Sequence, residues 1–300
     1  MLPGKYLRRE MYNKILLPVD DTTGNAEVLH HAAEIATYLD SKIQLLHVAD
    51  TEQHSVTLTD EGVVDGLVRR GEEIVADAGE TLRTLDVEYS TDVVQGIPAG
   101  TIVEYADEFD YDVIVMPTHG REGLSRYLLG SVTEKVVRLA DVPVLTARMQ
   151  EEDTFAFPYE HVLVPTDGSD VAERAAAHAF DLAESLDATV RVLTAVEGKR
   201  FDSDEQTSNG ALDFDRPERE FVERIVDDAE DRGLEASSHV VSGKPDEAIL
   251  TTIDIHDCDA VIMGTTGRRG VDRILLGSVA EKTVRSAPVS VVTVRGKSEN

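Results

Sequence analysis

Short apolar runs alternate along this chain with longer stretches whose apolar positions recur at helical spacing. Ile15-Leu16-Leu17-Pro18 opens the pattern, and the alanine-rich stretch from Asn25 to Leu39 follows it. A continuous apolar run of about four to eight residues predicts a buried parallel strand, and the longer period predicts a helix. The same reading gives a strand over Ile43–Val48, a polar loop over Thr51–Asp60, a charged helix over Gly62–Leu85 and a strand over Val87–Val94. A helix starts at Pro98, in whose first turn a missing N–H costs little. A strand over Val113–Met116, a helix from Ser131 and a last strand containing Val144-Leu145 complete the series.

The series then begins again. Val162-Leu163-Val164-Pro165 is followed by helix Val171–Leu186, strand Val190–Ala195, a polar loop over Gly198–Pro217 and helix Glu218–Arg232. Strand Glu235–Val241, a helix at Pro245, strand Ala260–Met263, a helix from Ser278 and a strand containing Val291-Val292 close it. The landmarks share one offset, 165 − 18 = 147 residues. It carries Pro18-Val19-Asp20 to Pro165-Thr166-Asp167, Gly96-Ile97-Pro98 to Gly243-Lys244-Pro245, and Gly120 to Gly267. It also carries Leu128-Leu129-Gly130-Ser131-Val132 to Leu275-Leu276-Gly277-Ser278-Val279. A repeat this long is a domain with its own core, not a solenoid unit. Strands alternating with helices predict two α/β domains, 10–149 and 158–296, each a five-stranded, mostly parallel sheet flanked by helices. A short acidic linker, Met149 to Pro158, joins them.

Composition narrows the function. No apolar run is long enough to span a bilayer, and Met1 to Glu10 lacks an apolar signal region, so neither membrane nor secretion is expected. Cys258 is the only cysteine and has no partner for a disulfide or a thiolate zinc site. A cytoplasmic location follows as the expectation. The chain holds 58 acidic and 29 basic residues, a formal net charge of −29, spread over both copies. Eight lysines against 21 arginines on so acidic a background resemble halophilic proteins. An acidic surface for a basic partner stands as the competing reading. Nucleic acid is disfavoured, because such a surface repels phosphate at long range.

The densest chemistry follows the fourth strand of each copy. In the second copy Gly264 and Gly267 bracket two residues, and nine more separate Gly267 from Gly277-Ser278. Glycine amides approach an anion closely, and a helix starting at Ser278 offers free N–H groups to phosphate. The insert and the lack of Gly-Lys-Ser/Thr exclude a Walker loop. Ser131-x-x-Glu134 and Ser278-x-x-Glu281 also read as capping boxes, which start a helix without any ligand. Arg268, Arg269 and Arg273 crowd the second loop, and Arg121 and Arg126 the first, which favours a polyphosphate. Asp20 and Asp167 end the first strand of each copy, where α/β sheets take ligands; an N-cap or turn role is the alternative.

Across both copies these residues resemble the universal stress protein family. Its ATP-binding members carry Gly-x2-Gly-x9-Gly-Ser/Thr after the fourth strand, a proline and aspartate ending the first, and Gly-x-Pro before the third helix. The resemblance implies a Rossmann-like fold of the adenine nucleotide alpha hydrolase type, with ATP between strands one and four. It implies that Pro165 and Asp167 border the adenosine and the backbone of Ala195 meets the adenine. Met263 and Gly264 then lie along the ribose, and Gly267, Arg268, Gly277, Ser278, Val279 and Ala280 hold phosphate. The first-copy counterparts are Pro18, Asp20, Val48, Met116, His119, Gly120, Arg121, Gly130, Ser131, Val132 and Thr133. Pro117 stands where the first glycine of the motif belongs, so the second site is expected to be the stronger.

No serine, histidine and acid recur together as a nucleophile triad, and His119 is replaced by Thr266 in the second copy. Three functions remain open. One is an adenine-nucleotide-binding stress or regulatory module acting on a protein partner. A second is a slow ATPase or phosphotransferase using Mg2+ on the phosphates. The third is a dimerisation scaffold that binds no nucleotide. The resemblance further implies that the two copies pair internally about a pseudo-two-fold, with a homodimer of chains left open.

Overall fold

The computed structural model describes residues 11–21, 25–52, 63–118, 129–147, 157–196, 216–266 and 276–296. In the first copy the strands are β1 (Lys14–Pro18), β2 (Lys42–Asp50), β3 (Tyr89–Gly96), β4 (Val113–Pro117) and β5 (Val144–Ala147). They alternate with α1 (Asn25–Leu39), α2 (Val63–Thr84), α3 (Pro98–Glu108) and α4 (Ser131–Leu139). The second copy repeats this as β6 (His161–Pro165), α5 (Asp170–Leu186), β7 (Thr189–Val196) and α6 (Arg216–Asp231). It ends with β8 (Ala236–Ser242), α7 (Pro245–His256), β9 (Ala260–Gly264), α8 (Ser278–Ser286) and β10 (Ser290–Val294). Pro98 and Pro245 both sit in the first turn of their helices, as their lost donors require. No described helix is long and apolar enough to cross a membrane. Most of the two polar loops and the linker lie outside the described residues.

The two expected five-stranded sheets are joined edge to edge into one of ten strands, ordered β3-β2-β1-β4-β5-β10-β9-β6-β7-β8. Every pairing is parallel except β5 with β10, which run antiparallel with Val291 opposite Thr146 and Thr293 opposite Val144. Both strands are buried throughout, and each carries a threonine among its apolar residues. Two threonines strengthen the seam reciprocally: Thr146 Oγ1 donates to the Val291 carbonyl at 3.1 Å, and Thr293 Oγ1 to the Val144 carbonyl at 3.3 Å.

Side chains alternate between the two faces of the sheet. On one face, Ile15 and Leu17 of β1 and their counterparts Val162 and Val164 join α1, α2, α5 and α6 in a single core that crosses the seam. On the other face, Leu16 lies in a cluster with α3 and α4, and Leu163 in a second cluster with α7 and α8. Turns out of the helices use aspartate where glycine is the usual choice. Asp40, Asp86, Asp110, Asp187 and Asp257 all have positive φ, and the counterpart of Asp86 is Gly233. Aspartate tolerates this region, but at a helix C-terminus its charge faces the negative end of the dipole.

A second reciprocal contact ties the halves together. The Tyr12 hydroxyl meets His178 Nε2 of α5 at 2.7 Å, and 147 residues on the Tyr159 hydroxyl meets His31 Nε2 of α1 at 2.8 Å. Each half therefore sends its tyrosine, placed just before its first strand, to the first helix of the other half. Burial pushes the His178 imidazole down to about 4, against a smaller opposing pull from Asp181.

That burial makes the fold acid-sensitive. Below about pH 6.5 the unfolded chain takes up a proton at residue 178 that the folded chain refuses until about pH 4. Stability is therefore highest above this window and falls as pH drops through it, by about 3 kcal/mol from this group. Unfolding of the wild type and His178→Gln in high salt, from pH 7 to 4, should show the stability difference between them shifting by that amount. A constant difference contradicts the assignment.

Candidate functional site

In each half the chain leaves the central strand in both directions, since β1 lies between β2 and β4 and β6 between β7 and β9. The carboxyl ends of β1 and β4, and of β6 and β9, therefore flank a switch-point crevice, the usual ligand position in open α/β sheets. Val19 N donates to the Leu46 carbonyl and Thr166 N to the Leu193 carbonyl, both at 2.8 Å. The ladders end there, at Pro18 opposite Leu46 and Pro165 opposite Leu193. Alternate residues of a strand turn their backbone groups to the same side. Val48 and Ala195 thus present N–H and C=O past the ends of β1 and β6, on the crevice side.

Asp20 and Asp167 are both exposed at the rim. Asp167 Oδ1 accepts from Ser169 N at 3.1 Å, while Ser169 Oγ accepts from Ala172 N at 3.3 Å as the N-cap of α5. The capping role considered for Asp167 belongs to Ser169, and the aspartate shapes the turn ahead of it. The Met116 and Met263 side chains are buried in the α3/α4 and α7/α8 cores, so only their backbones reach the strand ends.

The capping boxes do not form. Gly130 and Gly277 are the N-caps of α4 and α8, and Ser131 and Ser278 are the first helical residues, both exposed. The first intrahelical bonds are Glu134 N to the Gly130 carbonyl at 2.8 Å and Glu281 N to the Gly277 carbonyl at 2.9 Å. The amides of Ser131, Val132 and Thr133, and of Ser278, Val279 and Ala280, thus have no intrahelical acceptor and point out of the helix start. Gly130 N and Gly277 N donate back to the Thr118 and Thr265 carbonyls at 2.8 Å, which pins each helix start to its strand end. A Cβ on Gly277 would lie 3.1 Å from the Thr265 oxygen, so the close approach calls for glycine.

Two residues of the expected site also have partners within the fold. Thr133 is buried and its hydroxyl donates to the Pro117 carbonyl at 2.9 Å. Gly264 is glycine for packing: a Cβ there would stand 2.9 Å from Val171 Cγ1 at the start of α5. The offset places Gly24, outside the described residues, against Val171 and Pro117 against Gly264. His119, Gly120, Arg121 and Arg126, with Gly267, Arg268, Arg269 and Arg273, lie outside the described residues.

One serine, histidine and acid do come together. Ser290 Oγ lies 3.1 Å from His31 Nε2, and His31 Nδ1 lies 3.7 Å from Glu34. Ser290 and His31 are buried at 0% and 2% exposure beneath the Tyr159 contact, so no substrate reaches the hydroxyl. The offset linking Tyr12 to Tyr159 and His31 to His178 was present in the sequence, but it does not reveal that the pairs cross between copies. Among the described residues no group of three or more His, Cys, Asp or Glu could hold a metal ion.

The family model described as the universal stress protein family matches residues 11–148 and again 158–295. The chain belongs to this family. It is 31% identical over 237 residues to universal stress protein Mb2028c of Mycobacterium bovis, covering 75% of this chain and 77% of that one. Universal stress protein MJ0531 of Methanocaldococcus jannaschii is 33% identical over 147 residues, 48% of this chain and 86% of its own. The crystal structure of a universal stress protein from Archaeoglobus fulgidus shares the fold at TM-score 0.76 and 22% identity, covering 95% of this chain and 98% of that one.

The Gly264–Val171 packing predicts a specific rescue. Gly264→Ala should cost about 1–3 kcal/mol in denaturant unfolding, and adding Val171→Ala should restore most of it. An unaffected single variant contradicts the packing account.

Proposed function

We propose that this universal stress protein is a regulatory module that binds an adenine nucleotide, with ATP the favoured ligand, and adjusts its affinity for a protein partner accordingly. One observation carries the reading. In both halves a glycine-capped helix start, with three outward amides, follows the strand end across the crevice from an exposed aspartate. Amides at a helix N-terminus suit phosphate, and a carboxylate at the opposite rim suits ribose hydroxyls.

The donor set fits such a ligand. Asp167 would take the ribose, the Ala195 backbone the adenine edge, and the amides of Ser278, Val279 and Ala280 with the Ser278 hydroxyl the phosphates. Gly267 and Arg268 would extend the phosphate contacts. Asp20, Val48, Ser131, Val132 and Thr133 would serve the first half, with Thr133 contributing its amide. Mg2+ would enter with the phosphates and neutralise part of their charge. The dispersed acidic surface suits a cytoplasm of high salt, where its self-repulsion is screened.

Protein purified in high salt should release an adenine nucleotide detectable by mass spectrometry. Titration with ATP or a signalling nucleotide should saturate, and Gly267→Val should weaken it about 10-fold or more, the loss of one charge-assisted contact. Absence of both co-purified nucleotide and saturable binding would favour the dimerisation scaffold.

A further inference from the structure

Resting on the nucleotide reading, we propose that the two sites are energetically coupled, with α4 and α8 carrying the coupling across the seam. Leu129 precedes the cap of α4 in the first copy, yet its side chain is buried in the second copy's α7/α8 core, with Val284 of α8 and its C-cap residue Ala287. Its counterpart Leu276, immediately before the cap of α8, packs against both that core and the α3/α4 core. The residue next to each phosphate-facing glycine thus anchors in, or against, the other half.

The far end of α4 is held from across the seam as well. The Arg295 guanidinium, one residue beyond β10, donates to the Leu139 carbonyl in the last turn of α4 and to Asp141 Oδ1 at 3.2 Å. Arg295 follows Val294, whose carbonyl accepts from Thr265 N at 3.0 Å, and the Thr265 carbonyl in turn accepts from Gly277 N. The first copy repeats this link from Gly130 N to Thr118 and from Thr118 N to the Ala147 carbonyl of β5. A continuous run therefore connects one helix start to the seam strand of its own half and, through the antiparallel pairing, to the other helix start. A ligand that orders the start of α4 also fixes Leu129, and through it the packing around α8. The reverse path runs through Leu276 and Arg295 to α4. Reciprocity is then required: each site must change the other's affinity by the same factor.

The test follows the Ser131 and Ser278 amides separately by NMR while the full chain is titrated with Mg-ATP. Ser131→Pro removes one amide and one hydroxyl from the first site and remains compatible with a helix start, since Gly130 has φ −58° and ψ 137°. Coupled sites predict that this change shifts the dissociation constant read at Ser278 by about 5-fold or more. Leu129→Ala should produce the same shift alone and add nothing to Ser131→Pro, while Leu129→Met, which preserves volume, should leave the wild-type value. A Ser278 curve unmoved by Ser131→Pro, or saturation at a single site, overturns the coupling while leaving nucleotide binding intact. If neither amide responds to any nucleotide, the binding reading itself falls.

Discussion

The antiparallel pairing of β5 with β10 is the constraint on which the rest of the molecule depends. Both strands are buried on both faces, so each half alone would present an apolar sheet edge, a liability that pairing removes. The pairing places α1, α2, α5 and α6 on one face, where a single core crosses the seam, and the other four helices on the opposite face. It brings Tyr12 to His178 and Tyr159 to His31. It also points the strands of the two halves in opposite directions, so the two crevices open at opposite ends of the sheet.

Most of the architecture was legible in the chain because its cause is local. The apolar runs mark strands buried on both faces, and α1 begins and ends where its periodicity does. Pro98 and Pro245 announce helix starts through their missing donors. The candidate site was legible where it depends on backbone, as with Val48, Ala195 and the helix starts. Its finer chemistry was not, because it rests on which side chain meets which. Ser131-x-x-Glu134 has the letters of a capping box, but the chain turns one residue earlier and Gly130 takes the cap. The spacing marks Gly264, but not its neighbour Val171, distant in sequence, whose Cγ1 a Cβ there would meet at 2.9 Å. The bond from the Thr133 hydroxyl to the Pro117 carbonyl was likewise not legible.

The two copies differ in more than one place. The fourth strand ends in Gly264 in one copy and in Pro117 in the other. A second asymmetry lies elsewhere. Ser290 joins the His31–Tyr159 contact, whereas its counterpart, Pro143, offers no hydroxyl to the Tyr12–His178 contact. Duplication preserved the seam and the helix starts, and let the buried polar contacts diverge around them.

Native-state hydrogen exchange at the seam distinguishes one cooperative body from two separable halves. If β5 and β10 make one cooperative body of the two halves, the amides of Leu145, Thr146, Val291 and Val292 should exchange only by global unfolding. Their free energy of exchange should then match that of β1 and β6. Exchange at the seam through a smaller opening, with β1 and β6 still protected, would contradict it and make the halves separable units.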